Sequence, residues 1–436
     1  MSLSLKTVAR AGLCAWMAAA AGMVQAADAP AKAAKEPPVS TLFSGQFMDF
    51  ERSSGKVVGV YVPNWEPVSV VDRLGGHNVS HLLYAFLHVC GPGQLDKDAP
   101  RCEGKGDQQL AVSAIDSTFN DAFLRLKARA PHVKVVASVG GWGGSDPFFH
   151  LANDAAKRAR FAESVADFLR SHPGFDGIDI DWEHPTSNGS ANGVPLGSPA
   201  DGQGYADLMH TLRKTLDKLT GETGRSYLVT SAINTNAEMV SKINYRDAAK
   251  ALDLIFMMSY DYFGPWTPTA GHHTALHSRG NSPDESLSAG LKTMLSAGVP
   301  AAKLVAGVGM YGRGFTGVVP PPAGSPNFNG QKREGVFAGA DGSVIYREIV
   351  ARYLDRQGRG KAGYQVVYDP QAQAYALWNP STRLYLGYDD PRAVWHKGRF
   401  AVEQGLAGVF AWELSQDNGD LLNAMNLGVG HIPRPR

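Results

Sequence analysis

Three cysteines in 436 residues are too few for a disulfide-dense scaffold. Net charge is nearly absent: 42 Lys and Arg stand against 41 Asp and Glu, a formal balance of +1. No long run of either sign occurs, so nothing calls for a nucleic acid or an anionic membrane surface as partner. After the first 26 residues, no apolar run is long enough for a membrane helix. The sulfur and imidazole ligands of a structural zinc site are not clustered either, and no metal or cofactor is expected. What the chain does have is apolar mass. At 44% hydrophobic residues it can build a large core. Its length allows up to about three domains, although α/β barrels reach this size as one.

The amino-terminal end has the pattern of an export signal. Lys6 and Arg10 precede a largely apolar stretch over 11–24, and Val24-Gln25-Ala26 offers a small-residue cleavage site. Residues 1–26 are therefore expected to be a signal peptide, and the product secreted, either extracellular or periplasmic. Residues 27–39 are rich in Ala, Lys and Pro, and 27–50 is expected to be a flexible leader. Cys14 leaves with the signal. Cys90 and Cys102 remain, on either side of a Gly/Pro/Asp-rich loop, as candidates for a small-loop disulfide in an oxidising compartment. The basic end at 431–436 reads as a frayed tail.

Eight apolar runs of strand length follow, at 57–62, 81–87, 133–139, 175–182, 227–233, 254–260, 304–310 and 406–412. Stretches of helical spacing lie between most of them, such as 155–169 and 205–219. In the latter, Leu208, Leu212, Leu216 and Leu219 recur near one face. Strands alternating with helices imply a parallel sheet. The expected fold class is α/β, a (β/α)8 TIM barrel spanning 51–430, with a doubly wound open sheet as the alternative from this pattern alone. The seventh and eighth strands are far apart. A helix-like piece and alternating aromatic segments between them predict a small α+β insertion at about 314–390. A Gly/Ser/Asn/Pro-rich loop at 187–204 should be a surface excursion.

The fourth run, FDGIDIDWEHP at 175–185, raises a question. Ile178, Ile180 and Trp182 alternate with Asp179, Asp181 and Glu183. Period two places the three acids on one face. A solvated edge strand explains this blandly, and metal binding is a further reading. In a barrel, that face points inward and Glu183 falls at the carboxyl end, where barrel enzymes carry their chemistry. Three close carboxylates raise at least one pKa, which leaves one member protonated near neutrality as an acid.

Asp176-Gly177-Ile178-Asp179-Ile180-Asp181-Trp182-Glu183 resembles the DxxDxDxE signature of family 18 glycoside hydrolases, the chitinase family. Ser138-Val139-Gly140-Gly141 resembles the SxGG segment of its third strand. Met258-Ser259-Tyr260-Asp261 resembles its sixth-strand motif, and Met310-Tyr311-Gly312-Arg313 the end of its seventh. Trp412 stands where that family has its eighth-strand tryptophan, and the long insertion is similar to that of bacterial chitinases with deep clefts. The resemblance implies substrate-assisted, retaining hydrolysis of β-1,4 linkages in chitin or chito-oligosaccharides. Glu183 would be the general acid, Asp181 would orient the acetamido group, and Asp179 would tune Asp181. Tyr260 would donate to the acetamide oxygen. Asp261 and Arg313 would meet sugar hydroxyls or the acetyl region. Asp176, of opposite parity, is expected to be structural.

The segment from Gly140 to Gly144 follows a strand but lacks the phosphate-loop patterns. Gly140 and Gly141 are expected to permit close backbone approach, and Ser138 to support the acids by hydrogen bonding. Tyr61, Phe86, Trp142, Tyr311 and Trp412 are candidate substrate contacts, because flat rings suit pyranose faces. Trp65 and Trp266 also fall in loops at strand ends. No protein partner is implied, and a monomer is expected.

Overall fold

The computed structural model describes residues 35–435. The eight apolar runs become eight parallel strands that close into a barrel: β1 Val57–Pro63, β2 His81–Leu87, β3 Lys134–Gly140, β4 Gly177–Asp181, β5 Leu228–Ile233, β6 Leu254–Met257, β7 Leu304–Gly309 and β8 Gly408–Trp412. β8 pairs with both β1 and β7, so the sheet has no free edge. The closed order excludes the doubly wound sheet. The expected signal at 1–26 and the first part of the expected leader lie outside the described residues. All elements below belong to Pro37–Arg436.

Alternation along the strands divides the apolar residues between two layers. Val58, Val60, Ile178, Ile180 and Trp182 point outward and are buried under the helices. Val57, Tyr61, Leu83, Val136, Phe256, Val305 and Phe410 fill the barrel interior. The helix Asp201–Thr223 buries Leu208, Leu212, Leu216 and Leu219, and it ends at Gly224, whose φ of 70° suits a residue without a Cβ. The helix Ala155–Ser171 starts at Asp154, whose side chain accepts from Ala156 N and Lys157 N. Cap and apolar spacing together explain why these two stretches are helices.

Three expectations need correction. The sixth strand stops at Met257 rather than at residue 260. Beyond it, the Ser259 side chain takes over the bonding to β7, with Oγ 3.0 Å from Gly307 O and 2.9 Å from Gly307 N. Tyr260 and Asp261 therefore leave the sheet at the mouth, and Asp261 adopts φ 61°. The leader does not remain free to residue 50, because Leu42, Phe43 and Phe50 are buried. Gly45 N donates to Asp420 Oδ1 at 2.7 Å, and Met48 N donates to Asn423 Oδ1 at 3.0 Å. The carboxyl end is not frayed at its start: Ile432–Pro433 pairs antiparallel with Phe50–Glu51, and His431 is buried. In the leader a few apolar residues outweigh the polar composition around them, whereas at the carboxyl end strand pairing and the His431–Asn426 hydrogen bond hold the chain.

The insertion is an antiparallel sheet with strand order Gly335–Val336, Tyr311–Thr316, Leu384–Tyr388, Ala374–Asn379, Gln365–Asp369, plus the helix Tyr346–Tyr353. It begins at Tyr311, directly after β7, so Tyr311 and Arg313 ride on the insertion and not on the barrel. A buried ion pair stands at its root. Lys397 Nζ lies 2.8 Å from Asp389 Oδ2, and both side chains are fully buried. The same Asp389 oxygen accepts from Gly309 N at 3.0 Å and Thr274 Oγ1 at 2.9 Å. One carboxylate thus joins the end of the insertion sheet, the end of β7, the loop after β6 and the helix Pro391–Glu403.

Cys90 and Cys102 form a disulfide. Reducing the intact protein should raise its mass by two hydrogens; an unchanged mass would mean free thiols. At the insertion root, Lys397→Met strands a buried carboxylate, and chemical denaturation should report a loss of about 3 kcal/mol or more.

Candidate active site

The alternation on β4 directs Asp179 and Asp181 into the barrel, where both are buried. Register sets Ser138 of β3 and Thr230 of β5 on either side of Asp179. Both donate to it: Ser138 Oγ to Oδ2 at 2.7 Å and Thr230 Oγ1 to Oδ1 at 2.6 Å. Tyr61 OH, from β1, donates to Oδ2 at 3.1 Å. Burial raises the Asp179 pKa, and the three donors only partly oppose that rise. Asp181 is held well above the usual carboxylate range by burial, with the charges of Glu183 and Asp179 adding to it. Its Oδ1 is buried without a protein partner. The acid nearest the floor is thus saturated with donors, and the next has an oxygen to offer.

Glu183 follows β4 and keeps 16% of its side chain exposed, so it reaches the cleft. Its pKa is pushed up to about 7, by burial first and the nearby Asp261 charge second, against a lowering backbone hydrogen bond from Trp142. Burial and the surrounding acids hold the Tyr260 phenol well above its ordinary pKa, so it remains a donor. Asp261 does the opposite of its neighbours. Burial pushes it upward, but His273 and Arg313 outweigh burial and hold it below the usual range. Arg313 grips it with a two-pronged fork, Nε to Oδ1 at 2.8 Å and a terminal nitrogen to Oδ2 at 2.9 Å. Asp261 and Arg313 were expected to face sugar. The structure pairs them with each other, and a further guanidinium nitrogen donates to Asp341 O at 2.8 Å.

Aromatic rings line the mouth. Trp412 at the end of β8 lies 5.2 Å from Tyr61 and stacks on Phe86 at 5.7 Å and 20° between planes. Trp65 joins this group, 6.2 Å from Trp412. Tyr311 is buried against Tyr260 and His273 rather than open to the cleft. Trp65, Trp142 and Trp266 are exposed by 61%, 63% and 58%, unusual for so large an apolar side chain.

Close approach explains the two glycines after β3. Gly140 has φ 111°, and a Cβ there would lie 2.3 Å from Asp181 O. At Gly141, φ is 79° and a Cβ would lie 2.6 Å from the Phe86 ring. Asp176 stands apart from the three acids at the other end of β4. Its Oδ2 accepts Val135 N at 2.8 Å and pairs with Lys127, a structural arrangement. Among the described residues, no group of three or more His, Cys, Asp or Glu is placed to hold a metal.

Two contributors were not found in the sequence. Thr230 lay in an ordinary apolar run, and only its register beside Asp179 gives it a role. His273 is buried, with Nδ1 3.7 Å from Asp261 Oδ1. Nothing local signals it, because the loop after β6 brings it there. The Asp261 charge helps hold the Glu183 proton, so Asp261→Asn should lower the Glu183 pKa. Carboxyl-carbon NMR titration checks this; an unmoved or raised value would contradict it.

Comparison with known proteins agrees with this geometry. The family model described as Glycosyl hydrolases family 18 matches residues 57–417. The chain is 36% identical over 440 residues to chitinase A of Pseudoalteromonas piscicida, covering 87% of this chain and 53% of that protein. It is 35% identical over 414 residues to a probable endochitinase of Orgyia pseudotsugata multicapsid polyhedrosis virus, covering 86% and 72%. It thus spans about half the length of the first relative, 53%, and most of the second, 72%. Among solved structures, chitinase ChiA74 from Bacillus thuringiensis superposes with a TM-score of 0.74 at 26% identity, covering 87% of this chain and 70% of that one. With the barrel, the three inward acids and the family match in agreement, the chain belongs to glycosyl hydrolase family 18.

Proposed function

We propose that this chain is a chitinase, which cleaves β-1,4 linkages between N-acetylglucosamine units of chitin or chito-oligosaccharides with retention and with the substrate's acetamido group as nucleophile. The observation that carries this reading is the division of labour among the carboxylates. Glu183 is exposed enough to reach substrate and has a pKa near neutrality, about 7. The other carboxylate that acts strongly on it, Asp261, is locked in the Arg313 fork and is a poor candidate for attack. The remaining two, Asp179 and Asp181, sit behind Glu183 on the same strand. No separate enzyme nucleophile is required if the sugar supplies its own.

In the first step Glu183 gives its proton to the glycosidic oxygen as the bond to the anomeric carbon breaks. The acetamide carbonyl oxygen forms the new bond to that carbon, which gives an oxazolinium ion. Asp181 offers its unpartnered Oδ1 to the acetamide N–H and balances the developing positive charge. Tyr260 donates to the acetamide oxygen and aligns it. Intramolecular attack avoids the entropy of recruiting a second molecule. In the second step Glu183, now a carboxylate, takes a proton from water as the water attacks the anomeric carbon and reopens the ring. Trp412, backed by Tyr61 and Phe86, provides a flat apolar floor for the reacting sugar. The two relatives named chitinase and endochitinase support the same substrate class. The reading includes export, resting on residues 1–26, and action as a monomer.

Glu183→Gln should lower kcat about 10²–10⁴-fold on a chito-oligosaccharide while KM stays close to that of the parent. Near-parental turnover would remove Glu183 from the acid role. Proton NMR of the first product formed should show the β-anomer; initial α-anomer would exclude retention. Activity should fall as pH rises through about 7, because Glu183 then enters the first step without its proton. A flat profile between pH 6 and 9 would contradict that assignment.

A further inference from the structure

We propose that Ser145 is a positioning residue for Glu183, and that the loop Gly141 to Ser145 couples the exposed Trp142 ring to the acid's geometry. This rests on Glu183 being the general acid. Ser145 is buried, at 1% exposure, in the loop that follows β3. Its Oγ accepts the Glu183 backbone N–H at 3.0 Å. The same hydroxyl has Gly141 O and Asp181 O each at 3.0 Å as acceptors for its single proton. One side chain thereby bonds the backbone of the acid, the backbone of its catalytic neighbour and the residue before Trp142.

Other bonds make this loop a rigid support. Gly141 N donates to Asp181 O at 2.8 Å, and Gly144 N donates to Gly141 O at 3.0 Å. Asp146, next after Ser145, is buried and accepts Asn188 Nδ2 at 2.9 Å and Asn192 Nδ2 at 3.0 Å. Asn192 Nδ2 also donates to Gly143 O at 2.8 Å. The segment that follows Glu183 is thus tied to the same loop, and the acid is held from both sides. A Cβ placed on Gly189 would lie 3.3 Å from the Trp142 ring, so this segment also backs the exposed indole.

The coupling has a route to the proton. The Trp142 backbone N–H favours the charged form of the Glu183 carboxylate and lowers its pKa. Where that N–H points depends on the peptide at Gly141, the carbonyl Ser145 holds. The titratable groups that act on Glu183 are Asp181 on its own strand, Asp261 and Tyr260 from the loop after β6, and His184 beside it in the chain. Ser145 bonds none of their side chains. Loosening the loop should therefore free the Glu183 carboxylate from a stabilising donor and leave the other groups in place, so the acid keeps its proton to higher pH.

The test compares the parent with Ser145→Ala and Ser145→Cys on a chromogenic chito-oligosaccharide across pH 4–10. Melting temperatures and carboxyl-carbon NMR titration of Glu183 are measured on the same samples. Expected for Ser145→Ala are a kcat about tenfold lower, a KM within about twofold, and an alkaline limb and Glu183 titration moved upward by roughly half a unit or more. Ser145→Cys retains a weak donor and acceptor, should fall between the two, and carries the test if the alanine variant does not fold. An unmoved alkaline limb and an unmoved Glu183 titration, whatever the melting temperature, would overturn the proposal and leave Ser145 a turn-stabilising residue. If the parent is inert on every chito-oligosaccharide, the proposed function fails; the NMR titration then still decides whether Ser145 sets the proton affinity of Glu183.

Discussion

Two carboxylates enclosed in a barrel are the constraint on which this molecule depends. Burying an acid without donors costs several kcal/mol, and the protein meets that cost for Asp179 with three hydroxyls from three different strands. Each donor stands where the barrel register brings it: Tyr61 on β1, Ser138 on β3, Thr230 on β5. A slip of one residue on β4 would turn both acids toward the helices and place Ile178 and Ile180 in the interior. The closed sheet, its register and the chemistry of its mouth are therefore one requirement.

Around that centre the structure separates carboxylates by environment. Asp179 is saturated with donors, and Asp181 is buried with an open oxygen. Asp261 is neutralised by an arginine that arrives on a different structural unit. Arg313 lies on the first strand of the insertion, so the insertion supplies part of the site's charge balance. The Asp389–Lys397 pair at its root keeps that strand in a constant relation to the barrel. Separated proton affinities in one cleft are the usual means by which similar groups take acid and base roles at a single pH.

Much of this was legible in the sequence, for a physical reason. Strand alternation is local, so DIDWE at 179–183 already assigned its acids to one face and Ile180 and Trp182 to the other. The apolar runs were long and separate enough to count as eight strands. Where expectations failed, a non-local contact had intervened. Residues 42–50 looked like leader from composition, yet Leu42, Phe43 and Phe50 are buried, Phe43 beneath the Arg392 guanidinium and Phe50 in the pairing with the carboxyl-terminal strand. The sixth strand ended early because Ser259 replaced a ladder bond with a side chain. Tyr311 and Arg313 belonged to a neighbouring sheet that no local pattern sets apart from a strand end.

The sequence by itself determined the parity of the acids, the strand count, the place of the insertion and the residue types at the mouth. All of these follow from periodicities of two and of 3.6 residues, which are properties of the chain taken a few residues at a time. Tertiary structure alone decided which hydroxyls reach Asp179, that Asp261 pairs with Arg313, that His273 stands behind it, and that Ser145 bonds the backbone of Glu183. Those pairings join residues 12 to 118 positions apart, brought together by barrel closure and loop return. Proton affinity in such a cluster depends on distance and burial, and neither is a local property of the chain.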